Sequence, residues 1–330
     1  MNNNIKDEVL TNGFIQEDID PSLNLVEEIS RLKKEKNAVI LAHYYMVPEV
    51  QDVADFVGDS LALSQKAAET DADMIVFAGV HFMGETAKIL SPQKKVLIPD
   101  LNAGCSLADS CKPADFEAFI RAHPGHTVVS YVNTSAEIKA LTDIVCTSSN
   151  AVQVVNSIPL DRPIIFGPDR NLGNYIKQVT GRENMLIWDG ACHVHEEFSL
   201  ERILELKKEF PEAKVLVHPE CKKPIQLVAD YVGSTAGILN FAKSDSADTY
   251  IVATESGILH QMHKAMPSKT FIAAPPLDSM CGCNDCAFMK LISLKKVYLT
   301  LKYEIPEIEV EEGLRKKAEK SILRMLELSK

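Results

Sequence analysis

Histidine, tyrosine, serine and cysteine recur in this chain at a nearly constant spacing. His43, Tyr131 and His218 fall at matching places in the apolar runs ILAHYY (40–45), VVSYVN (128–133) and VLVHPE (215–220), whose starts lie 88 and 87 residues apart. Ser60, Ser148 and Ser234, the last followed by Thr235, are separated by 88 and 86 residues. Cys105 and Cys192 are 87 apart; Cys192 to Cys286 is 94, and the excess fits a local insertion around PPLDSMCGCND. Between these landmarks stand MIVFAGV (74–80), PIIFGPD (163–169) and TYIVATE (249–255). A fixed period across several landmarks marks a duplicated structural unit. Three units that each deliver one thiol, one polar strand end and one Ser-bearing helix start predict a pseudo-threefold assembly around a single central site.

The residue types indicate the chemistry. Cys105 in NAGCSLAD and Cys192 in DGACHVHE lie in Gly- and Ala-rich loops, which let backbone approach a bound group closely. Three thiolates with an open fourth position would make a catalytic metal centre, and spacing alone leaves zinc and an iron–sulfur cluster both open. The C-x-C-x-x-C run at 281–286 reads by itself as a zinc half-site or a redox pair. If each repeat gives one ligand, two of its thiols are spare and able to form a reversible disulfide. Cys146, inside the apolar IVC run, and Cys221 read as core thiols. The polar strand ends pair His43 with Tyr45, Tyr131 with Asn133 and His218 with Glu220, and His195 follows Cys192 by three. Tyr, His and Glu move protons when burial tunes them. His81, His123, His126, His260 and His263 lack this repeated context and are read as packing residues. Asp169, Arg170 and Asn171 in GPDRNLG are explained by turn formation. The Ser-bearing helix starts read either as N-caps or as anion sites, where N–H groups, the helix dipole and a hydroxyl converge. Three at equivalent positions predict substrates carrying several anionic groups.

The elements that position these residues alternate. NAVILAHYY predicts a buried strand, PEVQDVADFV a helix with Pro48 in its first turn, VGDS a short strand and turn, and SLALSQKAAETDA a helix capped by Ser60. MIVFAGV, the helix MGETAKILSP and KVLIPD complete the first unit, and the second and third repeat the order. Strands alternating with helices predict three α/β/α parallel-sheet domains, with ligands at the carboxyl ends of the strands. The expected divisions are a leading segment at 1–36, repeats at 37–112, 113–199 and 200–290, and a helical tail at 291–330.

Bulk properties narrow the partners. The chain has 330 residues, 46% hydrophobic and 25% charged, with a formal net charge of −11. That is an ordinary globular composition, and its acidity disfavours nucleic-acid and anionic-membrane partners. The start lacks a signal-peptide layout and no apolar run is long enough to span a bilayer. The chain is therefore expected in the cytosol, where its eight cysteines read as core thiols, ligands or redox groups rather than structural disulfides.

Taken together, ILAHYYMVPEVQDVADFVGDS, YVNTSAEIKALTDIVCTSSNAV, IIFGPDRNLG, GACHVHE, VHPEC, YVGSTAG and CAFMK, in this order, resemble the quinolinate synthase family from about residue 37 into the tail. The resemblance implies three similar domains around a pseudo-threefold axis and one [4Fe–4S] cluster held by three cysteines. It also implies condensation of iminoaspartate with dihydroxyacetone phosphate, with loss of phosphate and two waters. Carried over, the cluster ligands are Cys105, Cys192 and Cys286, the last chosen over Cys281 and Cys283 because it precedes AFMK. His43 and Tyr45 match the family's H-x-Y pair, with Tyr45 as acid–base. Tyr44 stands between them, where some relatives are expected to have Asn. His195 is expected beside the cluster and Glu220 as general base next to His218. Tyr131, Asn133, Ser60, Ser148, Ser234 and Thr235 are expected to hold carboxylates and phosphate. An L-aspartate oxidase or dehydrogenase is the expected supplier of iminoaspartate. The rivals are a [4Fe–4S] hydro-lyase for another hydroxy acid, a non-catalytic iron–sulfur or redox sensor, and a zinc lyase.

Overall fold

The computed structural model describes residues 3–277 and 284–330; Cys281 and Cys283 lie outside the described residues. Twelve strands occur among the described residues. They are β1 (Ala38–His43), β2 (Phe56–Gly58), β3 (Met74–Ala78), β4 (Lys95–Leu97), β5 (Thr127–Tyr131), β6 (Ile144–Cys146), β7 (Ile164–Gly167), β8 (Met185–Ile187), β9 (Lys214–Val217), β10 (Tyr231–Val232), β11 (Thr249–Ala253) and β12 (Thr270–Ala273). They form three four-stranded parallel sheets in the orders β2-β1-β3-β4, β6-β5-β7-β8 and β10-β9-β11-β12. The fold is thus α/β, and the sequence period is matched by the same strand order in each sheet.

Apolar runs dictate the central strands. All but one residue of β1 and every residue of β3 is buried, as expected of parallel strands covered by helices on both faces. A repeated aspartate sets the register of each first strand. Asp55 accepts the Ile40 N–H at 2.8 Å, Asp143 that of Val128 at 2.8 Å and Asp230 that of Val215 at 2.8 Å. The same three aspartates return their own N–H groups to Ile40, Val128 and Val215 at 3.0, 3.0 and 2.9 Å. In every sheet the chain runs from the first strand outward to the second, then back to the third on the other side. The carboxyl ends of strands one and three therefore flank a topological switch point, where such sheets bind ligands.

The described chain divides into two compact units. One comprises residues 1–105 and 287–319 and holds the first sheet. The other comprises residues 106–286 and 320–330 and holds the second and third. In the second unit, Val215, Val217, Ile225, Ile251 and Phe198 form one core, and Phe116, Val128, Ile138 and Ile165 another. The helix Arg170–Thr180 starts on an Asp169 cap and stops at Gly181, whose φ of 66° is the left-handed conformation glycine adopts without strain.

Beyond the predicted elements, the leading segment forms helices Asn3–Asn12 and Leu25–Glu35, the second burying Ile29 and Leu32. Helices Pro113–Ala122 and Leu200–Glu209 precede the second and third sheets. The tail holds Leu294–Tyr303 and Glu312–Leu328. Among the described residues, no helix is long and apolar enough to cross a membrane.

Candidate functional site

The second unit gathers most of the predicted site residues at its strand ends. Tyr131 closes β5, and its hydroxyl donates to Glu220 Oε1 at 2.6 Å. His218, Pro219 and Glu220 follow β9. His195 sits in the short helix His193–Glu196 that begins directly after Cys192. Its Nδ1 lies 3.3 Å from Cys192 Sγ and 3.3 Å from Glu220 Oε2, and its Nε2 lies 3.0 Å from Thr254 Oγ1. The His195 and His218 rings stack at 4.7 Å. His218 Nδ1 lies 3.3 Å from the Glu220 backbone nitrogen, and its Nε2 lies 3.2 Å from Ser148 Oγ. Asn171 donates to the Glu220 carbonyl at 3.0 Å, so a residue explained from sequence as turn-forming also braces the site.

Tyr131, His195, His218 and Glu220 are all buried. Burial alone would raise the Glu220 carboxyl. The nearby His195 and His218 charges and the bonds from His195 and Tyr131 outweigh it and hold the group down to about 2. Glu220 is therefore a carboxylate across the working range, set between two imidazoles able to carry protons.

The strand-end turns are pinned by residues that the sequence reading missed. Gln226 Nε2 donates to the Pro219 and Cys221 carbonyls at 2.9 and 2.7 Å. Gln51 makes the matching bonds in the first sheet, to Tyr44 and Met46 at 2.9 and 2.8 Å. In the second sheet Lys139, fully buried, donates to the Thr134 carbonyl instead. Thr254 was missed as well.

The first unit carries His43, Tyr45, Ser60 and Cys105. His43 is buried and its Nδ1 accepts the Tyr45 N–H at 3.2 Å, the arrangement seen at His218 and Glu220. The Tyr45 carbonyl accepts from Lys290 at 2.9 Å. Ser60 is not the cap of its helix: Asp59 is, accepting the Ala62 N–H at 3.0 Å, and Ser60 is the first helical residue. Both types cap well, and the carboxylate one residue earlier takes the position. Ser148 is likewise no helix start, because the six-residue helix Ala151–Asn156 is preceded by Asn150 and Ser148 lies in the turn before it. Ser234 does cap the ten-residue helix Thr235–Ser244, accepting the Gly237 N–H at 3.1 Å. Asn133 has a buried side-chain oxygen with no hydrogen-bond partner, which a bound ligand would supply.

The cysteines separate into two classes. Cys111, Cys146 and Cys221 are buried; burial, with the Asp115 charge, pushes Cys111 up to about 12, and burial raises Cys146 and Cys221 as well. They are inert as ligands or nucleophiles. Cys105, Cys192 and Cys286 are only partly buried and lie in loops beyond strands, so their donor chemistry fits a thiolate-held metal group. The ligand atoms of Cys192, His195 and Glu220 also lie within 4.8 Å of one another, a set able to hold a metal ion.

The profile of the family described as NadA, Quinolinate synthetase A protein, matches residues 27–327. The quinolinate synthase of Thermosynechococcus vestitus is 58% identical over 307 residues, covering 93% of this chain and 96% of that protein. Those of Microcystis aeruginosa and Synechococcus sp. are 58% and 57% identical over 306 residues, each covering 93% of this chain and 95% of the relative. A solved E-1-hydroxy-2-methyl-but-2-enyl-4-diphosphate reductase from Plasmodium falciparum aligns over 85% of this chain and 93% of its own, with a TM-score of 0.32 at 11% identity. On the family profile and the sequence relatives, this chain belongs to the quinolinate synthetase A family of enzymes.

Proposed function

We propose that this chain condenses iminoaspartate with dihydroxyacetone phosphate to quinolinate, releasing one phosphate and two waters, in the cytoplasm. The observation that carries the proposal is the buried Tyr131–Glu220–His195–His218 network beside the Cys192 thiol. A [4Fe–4S] cluster held by Cys105, Cys192 and Cys286 would supply a Lewis-acidic iron for a substrate oxygen. The remaining chemistry belongs to side chains. Joining an amine to a carbonyl, forming a carbon–carbon bond and expelling two hydroxyls all need positioned proton donors and acceptors. His195 and His218 carry those protons, and the Glu220 carboxylate orients and charges them as general base. Tyr45 serves the isomerisation and ring-forming steps, on a turn held by His43.

Ser60, Tyr131, Asn133, Ser148, Ser234 and Thr235 bind the carboxylates and phosphate. In support, Ser234 caps a full-length helix and the Asn133 amide oxygen lacks a partner. An L-aspartate oxidase or dehydrogenase would supply the iminoaspartate. The repeat boundaries at residues 37, 113, 200 and 291 are part of the same reading, as is a pseudo-threefold arrangement of the sheets.

The Cys192–His195–Glu220 donor set favours a second reading, a single metal ion such as zinc. It would have to displace the Tyr131 bond or the His195 contact from Glu220. Anaerobic purification with iron, sulfide and zinc analysis separates the two. About four irons per chain, with phosphate released only when both substrates are present, is expected. Stoichiometric zinc with no iron uptake on reconstitution would refute the cluster reading, and dehydration without phosphate release would point to a hydro-lyase.

A further inference from the structure

We infer that Asp169 and Glu255 are a matched pair of positioning residues that fix the Cys192 and Cys286 loops before any metal group binds. The inference rests on reading those two cysteines as ligands. The two acids stand at the same place in their repeats, the last residues of PIIFGPD and TYIVATE, 86 residues apart. Each lies two residues past the third strand of its sheet, at the switch point. Both are fully buried.

Their oxygens divide in the same way. Asp169 Oδ1 accepts the Leu172 N–H at 2.7 Å and Oδ2 the Cys192 N–H at 3.2 Å. Glu255 Oε2 accepts the Gly257 N–H at 2.7 Å and Oε1 the Cys286 N–H at 3.1 Å. Each carboxylate therefore joins the chain just after its own strand to the main chain of one cysteine, across 23 and 31 residues of sequence.

Neighbouring bonds strengthen both ties. Arg170 N–H donates to the Gly190 carbonyl at 2.8 Å, and Ser256 donates to Asp285. In the first repeat the equivalent residue is Val80, which has no acceptor. There the tie at the corresponding point is main chain, His81 N–H to the Ala103 carbonyl at 2.7 Å, and Asp100 Oδ1 accepts the Asn102 N–H at 2.9 Å beside it. All three loops are thus tied at corresponding points, two of them by a buried carboxylate.

The tie acts on the ligand's own peptide. A cysteine whose backbone is already fixed loses less conformational freedom when its sulfur is bound, and groups that orient ligands from behind typically change metal affinity about 10- to 100-fold. Burying two carboxylates is costly unless their oxygens are satisfied. Here the N–H groups of the two cysteines supply part of that satisfaction.

The test uses four full-length variants. Asp169→Ser keeps a hydroxyl to cap the following helix but has no second oxygen for Cys192, and Glu255→Ala removes the tie to Cys286. Asp169→Asn and Glu255→Gln each keep one acceptor oxygen and set an NH2 donor against the other N–H, so each holds one of the two bonds and not both. Apoprotein prepared by anaerobic chelation is followed by hydrogen exchange and by peptide-resolved iodoacetamide alkylation, and holoprotein by iron release to a chelator. In Asp169→Ser, exchange and alkylation around Cys192 should rise about tenfold while the Cys286 segment stays at wild type, and Glu255→Ala should do the reverse. Iron loss should quicken about 10- to 100-fold in both, with the Asn and Gln variants falling between these and wild type. Loosening of both segments together, or of neither, overturns the inference. Failure of the ligand reading is distinguishable: Cys192→Ala or Cys286→Ala would then retain wild-type iron, and apoprotein exchange would decide the positioning claim by itself.

Discussion

Tyr131→Phe removes one oxygen and leaves the ring in place. The lost contact is the 2.6 Å bond from the Tyr131 hydroxyl to Glu220 Oε1, made between two buried residues. A hydrogen bond to a charged group contributes about 1.5–3 kcal/mol. Oε1 would then keep His218 Nδ1 at 3.6 Å. At about 1.4 kcal/mol per tenfold, turnover at saturating substrate should fall about 10- to 150-fold.

The same energy predicts a pH effect. The Glu220 carboxyl is held to about 2, so its favourable contribution is complete above its ordinary value and is lost as the pH falls below it. Losing the tyrosine bond raises the folded-state value, and the acid limb of the rate profile should move up by about 1–2 pH units. The assay is quinolinate formation by chromatography from about pH 3 to 8, so that a limb raised from about 2 enters the range, with Trp188 fluorescence and iron content as checks on fold and cluster. Turnover within twofold of wild type together with an unmoved acid limb would refute the argument. A raised KM with an unmoved limb would make Tyr131 a substrate contact that does not hold Glu220.

Alanine at Cys105, Cys192 or Cys286 should abolish the iron–sulfur spectrum, whereas alanine at Cys146 should leave iron content unchanged and cost about 1 kcal/mol of packing, read by denaturant unfolding. Gln226→Leu leaves the Pro219 and Cys221 carbonyls without their donor. It should destabilise the third repeat by about 2–4 kcal/mol in the same experiment and lower turnover through the loosened His218–Glu220 turn. Ser234→Ala removes a helix cap and should cost about 0.5–2 kcal/mol; if that helix start also holds an anion, KM for dihydroxyacetone phosphate rises, and an unchanged KM would remove Ser234 from the binding set.

The repeat was legible because its landmarks are apolar runs ending in polar residues, and burial preserves both features. The identical strand orders of the three sheets follow from that period. The pins beneath the strand ends were not legible, because the repeats use different residue types in the same structural role. Gln51, Lys139 and Gln226 hold corresponding carbonyls, yet a buried lysine and two glutamines share no motif. The helix start at Ser60 was misplaced by one residue because Asp59 and Ser60 are both good caps, and sequence does not say which side chain turns back to the helix. Asp169 was read as a turn residue, and that reading was incomplete: turn and cap use one oxygen, and the other is visible only once Cys192, distant in sequence, is seen to lie against it.

This division of labour explains how one duplicated unit yields three chemically different strand ends. The aspartates at 55, 143 and 230 fix register, and the buried amides and lysine fix the turns, all through main-chain atoms. None of these bonds depends on the side chain presented at the turn. His43-x-Tyr45, Tyr131-x-Asn133 and His218-x-Glu220 can therefore differ without disturbing the backbone that carries them. A reaction with several distinct proton transfers needs unlike groups held with equal precision. Exchanging Glu220 for Gln should accordingly impair turnover while leaving amide exchange of the strand-end turn at wild type, whereas exchanging Gln226 should impair turnover and raise that exchange. Equal rises in turn exchange in the two variants would show that the strand ends and their pins do not separate in this way.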